Sequence, residues 1–327
     1  MITRKRIPAG LLTLILALIL TVGALSACSS NSLYTEGNGD LKVVCTSFPP
    51  FDIARQIGGE KVTLTVLQDN GADLHNYSPT AKTLLALSEA DILIAVGGES
   101  DKKWIDDAVS SAQNPDLTVI FLTDGIELKH AELEHHDHGE DHGEEGDGHS
   151  GDEHVWLSLK NVMKISDVIS AAFAEKDTEN TAYYQTSAAS FKAKLSALDG
   201  EYEKAVAESE IKTVVVADRF PFIYLTSDYG LCYYAAFSGC STEVNSDFAT
   251  QIKLINAVKD HGVPAVIVTE GSGKELADNI CAETGCGKVS LNSMQSITRT
   301  EIEAGATYLG IMTENLVSLK AALSQNP

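Results

Sequence analysis

"LKVVCTSFPPFDIARQIGGEKVTLTVL", from Leu41 to Leu67, decides the fold. It opens on a β-rich apolar run, "LKVVCTSF". It continues through "PFDIARQIGG", a helical pattern closed by Gly, and ends on a second strand-like run, "KVTLTVL". A strand, a helix and a strand in close succession imply a parallel crossover, because parallel neighbours cannot be joined by a tight turn. The pattern repeats downstream. "SPTAKTLLALSEA" reads as a helix with Ser78 as cap and Pro79 at its first position. "DILIAVG" reads as a buried strand, "WIDDAVSSA" as a helix and "LTVIFL" as a fourth strand. Alternation of this kind predicts an α/β fold with a parallel sheet covered on both faces.

Beyond an acidic interruption, "VWLSLKNVMKISDVISAAFAEK" reads as helix. From Asp177 to about Glu210 the apolar and aromatic positions keep a helical period through Gly200, which predicts one long connecting helix. The alternation then resumes with "TVVVA", "LCYYAAF", "FATQIKLINAVKDHG", "PAVIVTEG", "KELADNICAETG", "KVSLN" and a terminal helix through "ATYLGIMTENLVSLKAALS". The chain therefore divides into an N-terminal α/β lobe at 40–176, a linking helix at 177–210 and a C-terminal α/β lobe at 211–327.

The N-terminus reads as an address. "RKR" precedes the apolar run Leu11–Leu25, which is shorter than the roughly 20 residues a membrane span needs. "LSAC" then ends at Cys28, the layout of a bacterial lipoprotein signal over 1–27 with lipidation at Cys28. The Ser, Asn and Gly that follow predict a flexible tether over 28–39. This places the protein on the extracytoplasmic face of a bacterial membrane. A formal net charge of −22 excludes nucleic-acid binding, which needs a basic face. Export permits disulfides among Cys45, Cys232, Cys240, Cys281 and Cys286. Cys232/Cys240 and Cys281/Cys286 are candidate pairs, with buried thiols the alternative.

Six of the nine histidines (His130, His135, His136, His138, His142 and His149) lie in an acidic, Gly-rich loop at 130–153. Imidazoles among carboxylates suit Zn2+. With no apolar surface to offset its ordering, such a loop is a collector of cations rather than the tight site. The remaining histidines are His75 in "GADLHNYSPT", His154 in "DEHVWLSL", and His261 at a helix end, where it caps or faces solvent. His75 follows a predicted strand, at the end of an α/β sheet where ligands bind.

"GADLHNYSPT", "DEHVWLSL", the Tyr-rich linking helix and "ATYLGIMTENLVSLKAAL" resemble the zinc/manganese-specific solute-binding proteins of ABC importers. The resemblance runs in order along nearly the whole mature chain. It implies two Rossmann-like lobes joined by a rigid helix, with the metal in the cleft between them. It also implies His75 and His154 as ligands, an ABC permease as partner and a monomeric receptor. A third His is usual after the first strand of the second lobe. Here "VVVADRFPF" offers Asp218 instead, either as ligand or as partner of Arg219. The fourth ligand is usually an acid after the last strand, where "LNSMQSIT" offers Asn292 or Gln295, with Glu270 in "VIVTEG" an alternative. Glu243 reads as a helix-start acid. Zinc is expected as cargo, with manganese the alternative because oxygen donors suit it. A metal-dependent adhesin shares the fold. No HExxH, GxSxG or P-loop occurs, so a receptor is expected rather than a zinc hydrolase.

Overall fold

A computed structural model describes residues 33–68, 77–131, 151–239, 246–271 and 274–324. Cys28, His75, Cys240, Glu243 and the five histidines from His135 to His149 lie outside the described residues.

The first sheet holds β1 (Tyr34–Gly37), β2 (Leu41–Cys45), β3 (Val62–Val66), β4 (Ile92–Ala95) and β5 (Thr118–Phe121), in the order β1-β3-β2-β4-β5. All pairs are parallel except β1 with β3. β4 is buried at every position, as its apolar run requires of a strand covered on both faces. Tyr34–Gly37, placed by sequence in the tether, instead forms the antiparallel edge strand, and Tyr34 packs edge-on against Phe51. Helix α1 (Phe48–Gly58) makes the first crossover and carries prolines in its first turn, where a missing N–H costs no bond. Helix α2 (Ala81–Ser88) starts later than Ser78 and Pro79 suggest. Thr80 is its cap, in a reciprocal capping box with Thr83 that satisfies two orphan donors at once. Helix α3 (Glu99–Ala112) leads to β5.

Helix α4 (Leu159–Lys176) is capped by Ser158, whose hydroxyl accepts from Asn161 N, so "VWL" stands before it as a 3-10 turn, Val155–Leu157. The long helix α5 (Thr181–Glu208) spans about 42 Å at 1.5 Å per residue. Its buried residues Tyr184, Ala188, Phe191, Leu195, Leu198, Tyr202 and Val206 recur every three or four positions and form one face.

The second sheet is wholly parallel, in the order β7-β6-β8-β9: β6 (Thr213–Phe220), β7 (Cys232–Ser238), β8 (Ala265–Thr269) and β9 (Gly287–Leu291). β6 is longer than "TVVVA" suggests and carries a register shift between Val216 and Arg219. Helices α6 (Ile223–Asp228), α7 (Phe248–His261), α8 (Glu275–Thr284), α9 (Arg299–Glu303) and α10 (Tyr308–Leu323) complete the chain.

One hydrophobic core runs through both sheets and α5. Polar ties cross it as well. Asp52 in α1 is buried, pairs with Arg55 at 2.5 Å and accepts from Tyr308 N at 2.6 Å. Burial pushes its carboxyl up, and the Arg55 charge partly offsets this. Arg55 Nη2 also donates to Ala306 O at 2.7 Å.

Candidate metal centre

His154 precedes the 3-10 turn and its ring is fully buried. Its Nδ1 lies 2.8 Å from Asp152 Oδ1, which also accepts from His154 N at 2.9 Å. A carboxylate oxygen in that position fixes the proton on Nδ1 and leaves the Nε2 lone pair for a ligand, the usual arrangement behind a metal-binding imidazole. Nε2 faces the Nε2 amide of Gln295 at 2.6 Å, from the segment after β9. First and second halves of the chain thus meet at this imidazole.

Gln295 sits on a constrained turn. Met294 before it has φ 63, the left-handed region, and is fully buried. Such backbone persists only where neighbours over-determine it. Here Asn292 Oδ1 accepts from Met294 N at 2.7 Å, and Asn315 holds Asn292 from both sides, at 2.7 and 2.8 Å. Ser293 N donates to Glu270 Oε2 at 2.7 Å, and Ser293 Oγ donates to Glu270 Oε1 at 2.5 Å. Burial pushes the Glu270 carboxyl up, while the Ser293 donors act against it. Glu270 therefore stands behind the turn that carries Gln295, held to Ser293 and to the Gln295 backbone.

Asp218 is not at a strand end. It sits in the irregular part of β6, where Oδ1 accepts from the backbone N of Arg219 at 2.8 Å. Its Oδ2 accepts from Thr269 N at 3.0 Å and from the Thr269 hydroxyl. These bonds pin β6 to the end of β8. His261 ends α7 and meets the Tyr234 hydroxyl at 3.2 Å. Among the described residues no three side chains of His, Cys, Asp or Glu converge as a ligand set.

Three contributors escaped the sequence. Asp152 was visible only as the first residue of "DEH". Gly239, just after β7, is the second: a Cβ there would lie 2.9 Å from Asp152 Oδ2, 2.9 Å from Phe220 O and 3.1 Å from His154 Cε1. Tyr224 is the third. Its hydroxyl accepts from Lys129 N at 3.1 Å and donates to Asp152 O at 2.6 Å, while Asp152 N donates to Lys129 O at 2.7 Å. The two ends of the His-rich loop are therefore joined to each other and to the second half of the chain, two residues from His154. His130, at the loop's start, is exposed. Next to His154, Glu153 is buried beside Asp101, whose carboxyl is pushed up to about 6, first by burial and then by the Glu153 charge.

Gly239→Ala is expected to leave the fold intact and to weaken zinc binding about 10-fold, since outer-shell disturbances cost 10–100-fold. The added methyl has backbone on one side, so it must push the Asp152–His154 pair. Isothermal titration would show this, and unchanged affinity would mean that the pair has room to yield.

Two largely parallel sheets bridged by one long helix, with an oriented imidazole where the halves meet, make this a two-lobed solute-binding protein. The chain belongs to the ZnuA family, described as zinc-uptake complex component A, periplasmic, which matches residues 43–322. It is 30% identical over 306 residues to the zinc-binding lipoprotein AdcA of Streptococcus pneumoniae, covering 92% of this chain and 59% of AdcA. It is 29% identical over 303 residues to the high-affinity zinc uptake system protein ZnuA of Bacillus subtilis, covering 91% of this chain and 93% of that one. The chain thus spans little more than half of AdcA but nearly all of the B. subtilis protein. Among solved structures, the Zn(II)-bound ZnuA-like domain of S. pneumoniae AdcA matches with a TM-score of 0.70 at 25% identity, covering 88% of this chain and 100% of that one. The metal-dependent lipoprotein YcdH of B. subtilis matches with a TM-score of 0.73 at 27% identity, covering 87% and 100%. Among the described residues no helix is long and apolar enough to cross a membrane.

Proposed function

We propose that the protein is an extracytoplasmic zinc receptor, a monomer anchored by lipid at Cys28, that delivers Zn2+ to an ABC permease. It is a binding protein and not an enzyme. The observation that carries the reading is the imidazole of His154, buried, held in one tautomer by Asp152 and presenting Nε2 to Gln295. An imidazole nitrogen is a borderline donor and suits Zn2+ better than a harder ion such as Mn2+. The AdcA and ZnuA relatives, named for zinc, support the same choice.

Gln295 is the partner ligand in this reading. Ser293 Oγ contacts both Glu270 Oε1 at 2.5 Å and Gln295 Oε1 at 3.1 Å, yet a hydroxyl has one proton. Turning the amide over lets Gln295 Nε2 donate to Ser293 Oγ while Ser293 donates to Glu270. The amide oxygen then faces His154 Nε2, which gives a bound cation two donors from the two halves of the chain. His75 joins the set through the family resemblance, and Glu270 compensates charge from behind Ser293. The His-rich loop collects zinc for this site.

Deleting residues 132–150 separates the collector from the site. The shortened protein is expected to keep one tight zinc site and to lose the weaker equivalents, as titration and elemental analysis would measure. Loss of the tight site with the loop would place the receptor site on the loop and overturn the reading. Preference for Mn2+ in a direct competition would overturn the choice of cargo.

A further inference from the structure

We infer that Cys281 and Cys286 join as a disulfide in the exported protein, a modification site built from residues separate from the metal centre. Cys281 lies in the last turn of α8. Gly285 ends that helix at φ 78, its N–H donating to Cys281 O at 2.8 Å, and this left-handed cap turns the chain back on the helix. The turn brings Cys286 beside Cys281, with the two Sγ atoms 3.4 Å apart. Cys281 Sγ also donates to Gly287 O at 3.2 Å, at the first residue of β9. Sulfurs at this separation reach the bonded distance of about 2.05 Å by side-chain rotation, without remodelling an element.

The other two described thiols are poor competitors. Cys45 is fully buried in the central strand of the first sheet. Cys232 begins β7, at the opposite edge of the second sheet from β9, which is about 14 Å away at 4.8 Å per strand. Both Cys281 and Cys286 are partly accessible. The chemistry needs an oxidant of the disulfide class, such as oxidised glutathione or an oxidoreductase disulfide. The two thiols lose two protons and two electrons and form one S–S bond, while the oxidant's S–S bond takes up both and becomes two thiols. Burial pushes the Cys281 thiol up to about 12, with the Cys286 thiol adding to the effect.

The bond would fasten the end of α8 to the start of β9, the strand that leads into the Asn292–Gln295 turn. The test uses purified full-length protein in excess oxidised glutathione, followed by unfolding, alkylation, intact mass and peptide mapping. A peptide holding Cys281 and Cys286 about 2 Da lighter than its dithiol form, with neither cysteine alkylated, is expected. A rise of about 3–5 °C in Tm should accompany it, the scale for a short closed loop in a chain of this size. Cys281→Ser should instead leave Cys286 as a glutathione adduct and abolish the rise. Both thiols alkylated, or both capped by glutathione in the wild type, overturns the assignment. Zinc affinity should match in the two redox forms, so this outcome is independent of the receptor reading.

Discussion

Replacing His154 with alanine is expected to abolish nearly all of the zinc-dependent rise in melting temperature. A ligand that binds only the folded state stabilises it by RT ln(1 + [L]/Kd), about 4 kcal/mol at a thousandfold excess. At about 2.1 cal/mol/K per residue a chain of roughly 300 residues shifts by about 1.6 °C per kcal/mol, so the wild type should gain roughly 6 °C. His154 supplies a buried imidazole whose Nδ1 is already committed to Asp152, so no rotation of a neighbour replaces its Nε2. His261→Ala is the control, because that side chain lies exposed at the end of α7, against Tyr234. Asp152→Asn probes the orienting carboxylate alone and should weaken binding about 10–100-fold while leaving part of the shift. Differential scanning calorimetry with and without zinc reads all three. A full zinc shift in His154→Ala would remove this residue from the site and leave the fold as the only support for the receptor reading.

Trp156→Ala is expected to cost about 3–5 kcal/mol of folding stability, the usual penalty for emptying a buried indole site. Trp156 is fully buried, and its Nε1 donates to Ser293 O at 2.9 Å while its own carbonyl accepts from the Tyr308 hydroxyl at 2.6 Å. One side chain thus packs the first half against the second and holds the turn that carries Gln295. Trp156→Phe keeps most of the packing but leaves Ser293 O without that donor, which should cost about 1–3 kcal/mol. Urea unfolding would separate the two variants. The alanine variant should also bind zinc more weakly once corrected for stability, because the Ser293–Gln295 turn loses a fixed point. Equal stability of wild type and Trp156→Ala would mean that the halves are held by other contacts, with the Asp52–Tyr308 tie the first to examine.

Most of the architecture was legible because it rests on periodicity. The strand runs "DILIAVG" and "TVVVA" are apolar at each position, and the long helix keeps its period through Gly200, where a Cβ would meet nothing within 4 Å. Element ends were less legible. Ser78, Pro79 and Thr80 all suit a helix start, and the reciprocal bonds with Thr83 decide for Thr80. β1 was hidden because Tyr34–Gly37 is mostly polar and is specified by pairing with β3 rather than by its own composition. In the site, His154 and Gln295 were candidates by motif and position, and the structure brings them within 2.6 Å of each other. Asp218 was a candidate either as ligand or as partner of Arg219, and its Oδ2 accepts from Thr269. Gly239 and Tyr224 were invisible for a general reason. What matters at Gly239 is the absence of a Cβ, and at Tyr224 the reach of a hydroxyl to Asp152, 72 positions away in the chain. Neither leaves a local pattern.

Helix α5 has a mechanical consequence. It is fastened near both ends by phenols: Tyr184 to Asp177 at 2.7 Å and Tyr202 to the Met312 carbonyl at 2.7 Å. A splint fixed at two points and packed along one face resists both bending and twisting, so the halves have no soft hinge about which to swing apart. Wide opening would break the shared core, a cost on the scale of unfolding. Exchange of cargo is then left to the low-energy movements of short segments at the strand ends. The surface around the site should consequently differ little between loaded and empty forms.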